Sequence, residues 1–196
     1  QEVQFTAYCA AGRKHTVQQF YDSFKLAREM GFDNINTDLI AGLKGDSVDS
    51  FKNTVNSILA LSPECITVHT LSVKRSSTDM YKGMSRFRAQ ALDVSQMVDF
   101  SRKVLQDSGY NPYYMYRQSR QAGNLENVGW SKPGYEGLYN MLIMEEMQTI
   151  LAVGAGASTK IVSGDDINRI FNYKYPYEYI SGFDEMLRRK DRILSY

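Results

Sequence analysis

The sequence predicts an α/β fold of parallel β/α units, the later part of a β/α barrel. Two observations carry this. A helical pattern followed by a short strand occurs three times in succession, and such alternation implies parallel pairing through right-handed crossovers. Polar and charged residues fall towards the ends of those strands, where the working residues of such barrels sit.

The first helix is expected to start at Thr16, with Gln19 completing a capping box. Val17, Phe20, Tyr21, Phe24 and Ala27 follow at helical spacing, and Gly31 stands where a left-handed cap is wanted. A strand is read over Asn34 to Ile40. The loop from Ala41 to Gly45 leads to a second helix capped by Asp46 or Ser47, with Val48, Phe51, Val55, Ile58 and Leu59 as its stripe and Pro63 past its end. Cys65 to Leu71 forms the second strand. A polar stretch, Lys74 to Arg88, precedes a third helix near Ala89 to Ser108, whose apolar face includes Val94, Met97, Val98 and Leu105. Gly109 ends it, and Tyr113 to Arg117 is the third strand. Beyond this, Gln118 to Tyr135 reads as a long loop. Tyr139 to Met147 reads as a helix, Thr149 to Val153 as a strand, and the tail from Asp165 holds a charged helix around Ile180 to Arg192. The Gly154-Ala155-Gly156-Ala157-Ser158 segment lacks the third glycine of a dinucleotide fingerprint. It reads as backbone brought close to a ligand or a neighbouring strand.

Composition narrows the function. With 196 residues, 43% hydrophobic and 23% charged, the chain can bury one real core. A formal net charge of +1 gives no electrostatic reason to expect nucleic acid or an anionic membrane as partner. No apolar run approaches the roughly 20 residues that span a bilayer. Gln1 to Ala10 has neither the basic start nor the apolar stretch of a signal peptide, so a cytoplasmic location is expected. Cys9 and Cys65 lie far apart, which argues against a disulfide framework.

Asp38 stands out inside an otherwise apolar strand, because a buried carboxylate is costly unless paired. Together with Thr70, Ser72 and Arg117 it is expected at the C-terminal strand ends, which outlines a site. The alternative is that Asp38 only caps the following loop. His15 and His69 lack a metal-ligand spacing and read as hydrogen-bonded structural histidines.

Gly12-Arg13-Lys14-His15-Thr16, then Asp38-Leu39-Ile40-Ala41-Gly42-Leu43, then Thr67-Val68-His69-Thr70-Leu71 resemble stretches of the oxygen-independent coproporphyrinogen III oxidases. These are radical S-adenosylmethionine enzymes, and the dehydrogenase type called HemZ is nearest in pattern. Asn127-Val128-Gly129 through Lys132-Pro133-Gly134, and Leu138-Tyr139-Asn140 on to Gly154-Ala155-Gly156-Ala157, match that type as well. Five separated blocks in order make the resemblance specific. It implies the C-terminal half of a partial (β/α)6 barrel plus a short α/β extension. Residues 12–160 would be its later β/α units, 161–196 a C-terminal helical tail and 1–11 an atypical start.

The resemblance also implies roles. Arg13 and Asp38 match the residues that bind S-adenosylmethionine, Arg13 by paired donors to its carboxylate and Asp38 by accepting from ribose hydroxyls or the α-amino group. Ser72 and Ser158 fall where small side chains line that cofactor. The implied reaction turns two propionates of coproporphyrinogen III into vinyl groups after a deoxyadenosyl radical removes a hydrogen atom. A tetrapyrrole with four carboxylates needs cations, for which Lys74, Arg75, Arg117 and Arg120 are candidates; solvated surface charge is the competing reading. Two departures stand against the pattern. Gly42-Leu43-Lys44-Gly45 lacks the family's proline, and no Cys-x-x-x-Cys-x-x-Cys run is present to hold a 4Fe–4S cluster. The chain is therefore expected to be a truncated product that cannot cleave S-adenosylmethionine alone. Haem chaperones of the same superfamily are the rival, but their His-Asn-x-x-Tyr-Trp stretch aligns with Tyr139-Asn140-Met141-Leu142-Ile143-Met144, without the histidine or tryptophan. A half-barrel kept in solution by self-association, through an exposed edge at Asn34 to Ile40, is a further alternative.

Overall fold

A computed structural model of the chain describes residues 16–43, 45–71, 84–117 and 125–195, of which 84–91 and 194–195 are described by backbone alone. The chain divides into two compact units, Gln1–Gly137 and Leu138–Tyr196.

In the first unit, helix α1 (Val17–Glu29) opens with the expected capping box: Thr16 Oγ1 accepts from Gln19 N–H and Gln19 Oε1 from Thr16 N–H. Gly31, at φ +87°, closes it in the left-handed conformation that glycine adopts without strain. Strand β1 (Asn36–Ala41) follows, then helix α2 (Val48–Leu61), capped by Ser47, which accepts from Ser50 N–H. Strand β2 (Cys65–Thr70) pairs parallel with β1, residue 38 opposite 67, as the β/α pattern requires. Helix α3 (Met84–Asp107) begins five residues before the expected Ala89.

The third repeat departs from the expectation. Strand β3 (Asn111–Tyr116) does not pair with β2. Within the segment expected to be a loop, strand β4 (Asn127–Ser131) lies antiparallel between them, giving the order β1-β2-β4-β3. The sheet is therefore mixed, with β3 running in the sense of β1 and β2 but separated from them. The strand is short and glycine-interrupted, so its alternation is carried by Val128 and Trp130 alone. Both turn to the helices: Trp130 is buried and Val128 packs against the same cluster. Leu39, Ala41, Ile66 and Val68 from the strands and Phe51, Val55, Val94 and Leu105 from the helices complete this core. Burial of such aliphatic and aromatic surface is the main stabilising term.

The second unit holds helix α4 (Leu138–Met144) and a hairpin of β5 (Ser158–Ser163) and β6 (Asp166–Phe171). Short α5 (Pro176–Ser181), α6 (Phe183–Asp191) and a final 3-10 turn (Arg192–Ser195) follow. Two expectations are corrected here. Thr149 to Val153 is not a strand; it meets β5 through the isolated bridge of Ile150 with Lys160 and through hydrogen bonds to the Thr149 hydroxyl from Val162 N–H and to the Thr159 hydroxyl from Ala152 N–H. The segment from 161, expected to be a helical tail, carries most of this hairpin before the charged helix begins. The Gly164-Asp165 turn is a recognised hairpin signal, but mostly exposed β6 offers no clean apolar alternation.

Candidate functional site

The two faces of the four-stranded sheet differ. Thr37, Leu39 and Ala41 of β1 point to the helices and are buried, whereas Asn36 and Asp38 point the other way and are exposed. Register then places side chains of one face in rows across the strands. Asp38 stands opposite Thr67, Thr67 opposite Gly129, and Gly129 opposite Tyr114. Asp38 is thus in the middle of β1 and not at its end, and its carboxylate is 62% exposed, which lessens the desolvation cost expected of a buried one.

Its neighbours form one connected polar group. Asn36 Nδ2 donates to Asp38 Oδ1 at 2.8 Å, and His69 Nε2 lies 3.7 Å from the same oxygen. Tyr116 Oη sits 3.2 Å from His69 Nδ1. Thr67 Oγ1 donates to Asn36 Oδ1 at 3.2 Å and lies 3.3 Å from Tyr114 Oη. The nearby His69 holds the Asp38 carboxyl below its ordinary value against partial burial, helped by hydrogen bonds from Asn36 and Thr67. Asp38 is therefore an ionised acceptor at neutral pH, with partners on the sheet face. Burial pushes the Tyr114 phenol up, so it stays a neutral donor and acceptor.

Gly129 makes the aromatic side of this face possible. A Cβ there would stand 1.9 Å from Tyr114 Cε1, so only glycine lets the ring lie against the sheet. Tyr114 in turn stacks on Tyr116, ring centroids 6.4 Å apart and planes within 5°. The result is a polar and aromatic surface on the sheet face opposite the helices.

Of the residues singled out in the sequence, Asp38 lies on this face. Thr70 ends β2, and its N–H donates to Asn127 Oδ1 at 2.7 Å. Arg117 follows β3 and pairs across the hairpin with Glu126 at 2.7 Å. Ser158 opens β5 in the second unit, opposite Phe171. The glycine-rich segment before it docks on neighbouring chain, with Gly156 N–H donating to Tyr173 O and Asn172 Nδ2 to Gly154 O. Arg13, Ser72, Lys74, Arg75 and Arg120 lie outside the described residues, as do Cys9, His15 and Lys44. His69 is hydrogen-bonded, as read, but beside Asp38. The sequence reading missed Asn36, Thr67, Tyr114 and Tyr116 as members of the face. Their i, i+2 spacing within strands was the available signal.

The acceptors and donors around Asp38 suit the hydroxyls and amino group of S-adenosylmethionine. A cluster is another matter: among the described residues no three His, Cys, Asp or Glu side chains could hold a metal ion. Cys65 is buried, its thiol pushed up by that burial, and Sγ donates to Tyr135 O at 3.0 Å.

In sequence the chain is 42% identical over 188 residues to the oxygen-independent coproporphyrinogen-III oxidase-like protein HemZ of Bacillus subtilis (strain 168), covering 94% of this chain and 37% of HemZ. It groups with the HemZ type of the oxygen-independent coproporphyrinogen III oxidase family. The heme chaperone HemW of Lactococcus lactis is 28% identical over 150 residues, 75% of this chain and 36% of HemW. The chain thus spans little more than a third of the length of these curated relatives. No protein-family model matches it. Among solved structures, coproporphyrinogen III oxidase (HemN) from Escherichia coli, titled a radical SAM enzyme, superposes with a TM-score of 0.65 at 18% identity, over 92% of this chain and 41% of that one. The likeness to HemN is one of fold. No described helix is long and apolar enough to cross a membrane.

Proposed function

We propose that this chain is part of a cytoplasmic radical S-adenosylmethionine coproporphyrinogen III dehydrogenase in haem biosynthesis, which oxidatively decarboxylates two propionates to vinyl groups, each losing a hydrogen atom to the cofactor-derived radical, carbon dioxide, and one electron to an external acceptor. The observation that carries the reading is the sequence match to HemZ along nearly the whole chain. In this reading the four-stranded sheet is a section of a partial β/α barrel, and its polar face is the barrel interior.

S-adenosylmethionine together with a 4Fe–4S cluster supplies the hydrogen-atom abstraction when bound. The cluster's ligands are assigned to a three-cysteine run outside this chain. The chain's own residues bind and orient. Asp38 accepts from the cofactor's hydroxyls or amino group, and Asn36 and His69 hold the carboxylate in place. Arg13 neutralises the cofactor's carboxylate, and Ser72 lets main chain approach it. Lys74, Arg75 and Arg120 meet substrate propionates. Arg117 has Glu126 as a competing partner and contributes less. Tyr114 and Tyr116 present flat surface to planar ligands.

Reading the frame upstream of Gln1 tests the cluster assignment: a Cys-x-x-x-Cys-x-x-Cys run supports it. Anaerobic incubation of the reconstituted longer protein with coproporphyrinogen III and S-adenosylmethionine tests the activity. Formation of the divinyl product supports it, and cofactor cleavage without any change in the tetrapyrrole overturns it.

The match to HemW favours haem binding as the second reading. Tight stoichiometric haem uptake without oxidation would establish it in place of the first. The edge position of β1 supports self-association of the 196-residue chain. A clean monomer by light scattering would overturn that.

A further inference from the structure

In the second unit, β6 and α6 enclose an open cleft of about 410 Å³. That is within the span of small-molecule sites, roughly 300–1,000 Å³. Arg169 from β6, Arg188 and Arg189 from α6, and Arg192 just beyond it bring four guanidinium groups to its lining, against the single lining carboxylate of Glu185. Glu185 is shared: its oxygens lie 3.1 Å from Arg188 Nη2 and 3.0 Å from Arg189 Nε. Arg169 pairs with Glu146, which lies outside the lining. The lining itself carries four arginines and one carboxylate, a positive balance.

The arrangement is also partly rigid. Arg189 Nη1 donates to Phe171 O at 3.1 Å, and its guanidinium lies over the Tyr173 ring, 4.8 Å from the centroid. An arginine fixed by a carboxylate, a carbonyl and a ring has given up its rotamer freedom before any ligand arrives. Arg188 is 74% exposed, so donors beyond its bond to Glu185 face solvent. Beside these charges Phe171 leaves 59% of its surface exposed, while Ile170 is buried in the hairpin.

We propose that this cleft binds an organic anion that carries two or more carboxylates on an apolar body. Guanidinium forks match planar carboxylates with paired hydrogen bonds, and they match phosphate as well. Two features favour the carboxylates. The cations are spread over a strand, a helix and the turn after it, and an exposed phenyl ring stands among them. Spread cations suit several separate anionic groups better than one compact ion. Resting on the function proposed above, the body is a tetrapyrrole edge with its propionates. The cleft then supplies cations that the sequence reading sought elsewhere.

Two probes test it on the 196-residue chain: coproporphyrin III, followed by its Soret band, and butanetetracarboxylate, followed by NMR of the arginine Nε–H signals. Arg188→Gln with Arg192→Gln is the test variant, and Lys25→Gln with Lys103→Gln, far away in sequence and exposed, is the charge control. Thermal melts confirm that both fold. Expected is at least about tenfold weaker binding of both probes by the arginine variant, and affinity within about twofold for the control. Equal binding by the arginine variant overturns the proposal, as does equal weakening by the lysine control. Inorganic phosphate displacing the tetracarboxylate at lower concentration than succinate does would make this a phosphate site and overturn the carboxylate assignment. Tetracarboxylate binding without coproporphyrin binding supports the cleft and counts against the tetrapyrrole reading. Porphyrin binding indifferent to the arginines supports that reading and sinks the cleft.

Discussion

Glu64→Gln is expected to cost the first unit about 2–3 kcal/mol. The side chain is 10% exposed just before β2 and accepts from Arg28 Nη2 at 2.8 and 2.7 Å and from Ile35 N–H at 3.1 Å, with Lys132 Nζ 3.5 Å away. One carboxylate thus joins the end of α1, the entry to β1 and the exit of β4. Breaking a fully buried pair costs about 3–5 kcal/mol. Arg28 and Lys132 are 31% and 29% exposed and keep bonds to the Phe32 and Ser62 carbonyls, so solvent relieves part of the loss. Burial alone would raise the Glu64 carboxyl, but the Ile35 N–H, Arg28 and Lys132 more than offset it and hold it below the ordinary 4.5. A carboxyl lowered on folding contributes stability present above 4.5 and lost as pH falls through its folded value. The wild-type advantage over the Gln variant therefore narrows in acid. Urea unfolding read by Trp130, the one tryptophan of the sequence and buried in this unit, measures it. A loss under about 0.5 kcal/mol at neutral pH, the range of ordinary surface changes, refutes the reasoning. So does a gap that stays constant down to about pH 3.

Gly129→Ala is expected to drive Tyr114 off the sheet, since the new Cβ meets the ring at 1.9 Å. A loss of about 1–3 kcal/mol with a changed near-ultraviolet tyrosine signal checks this. Phe51→Ala empties a site with no exposed surface and should cost about 3–5 kcal/mol in the same urea assay. Cys65, buried with its thiol pushed up, should react with a disulfide reagent in a Cys9→Ser background only on unfolding; prompt labelling of the folded chain would contradict its placement.

Much of the fold was legible because its signals are local. The Thr16–Gln19 capping box, the Gly31 cap and the stripe of Phe51, Val55 and Ile58 are each fixed by residues within a turn or two. The β1–β2 pairing followed from the crossover helix between them. What stayed hidden is non-local. Nothing near Val128 or Trp130 announces that β4 inserts between β2 and β3, because its pairing is decided by partners about sixty residues away in β2. The hairpin of β5 and β6 was hidden because mostly exposed β6 carries little hydrophobic alternation. Asp38 was picked out for the wrong physical reason, burial, since which face a strand residue takes depends on where the helices pack. The same uncertainty concealed Asn36, Thr67, Tyr114 and Tyr116, which join Asp38 and His69 in one group only once four strands are in register.

The claim on which the rest depends is that the ionised Asp38, on a sheet face the helices leave open, meets the cofactor. Equilibrium dialysis of labelled S-adenosylmethionine against the reconstituted longer protein, wild type and Asp38→Asn, puts it to the test. The account predicts a cooperative unfolding transition with only the small loss that follows from removing a lowered, half-exposed carboxyl, and at least about tenfold weaker binding, the loss of one charge-assisted contact. Equal affinity in the two proteins would contradict it.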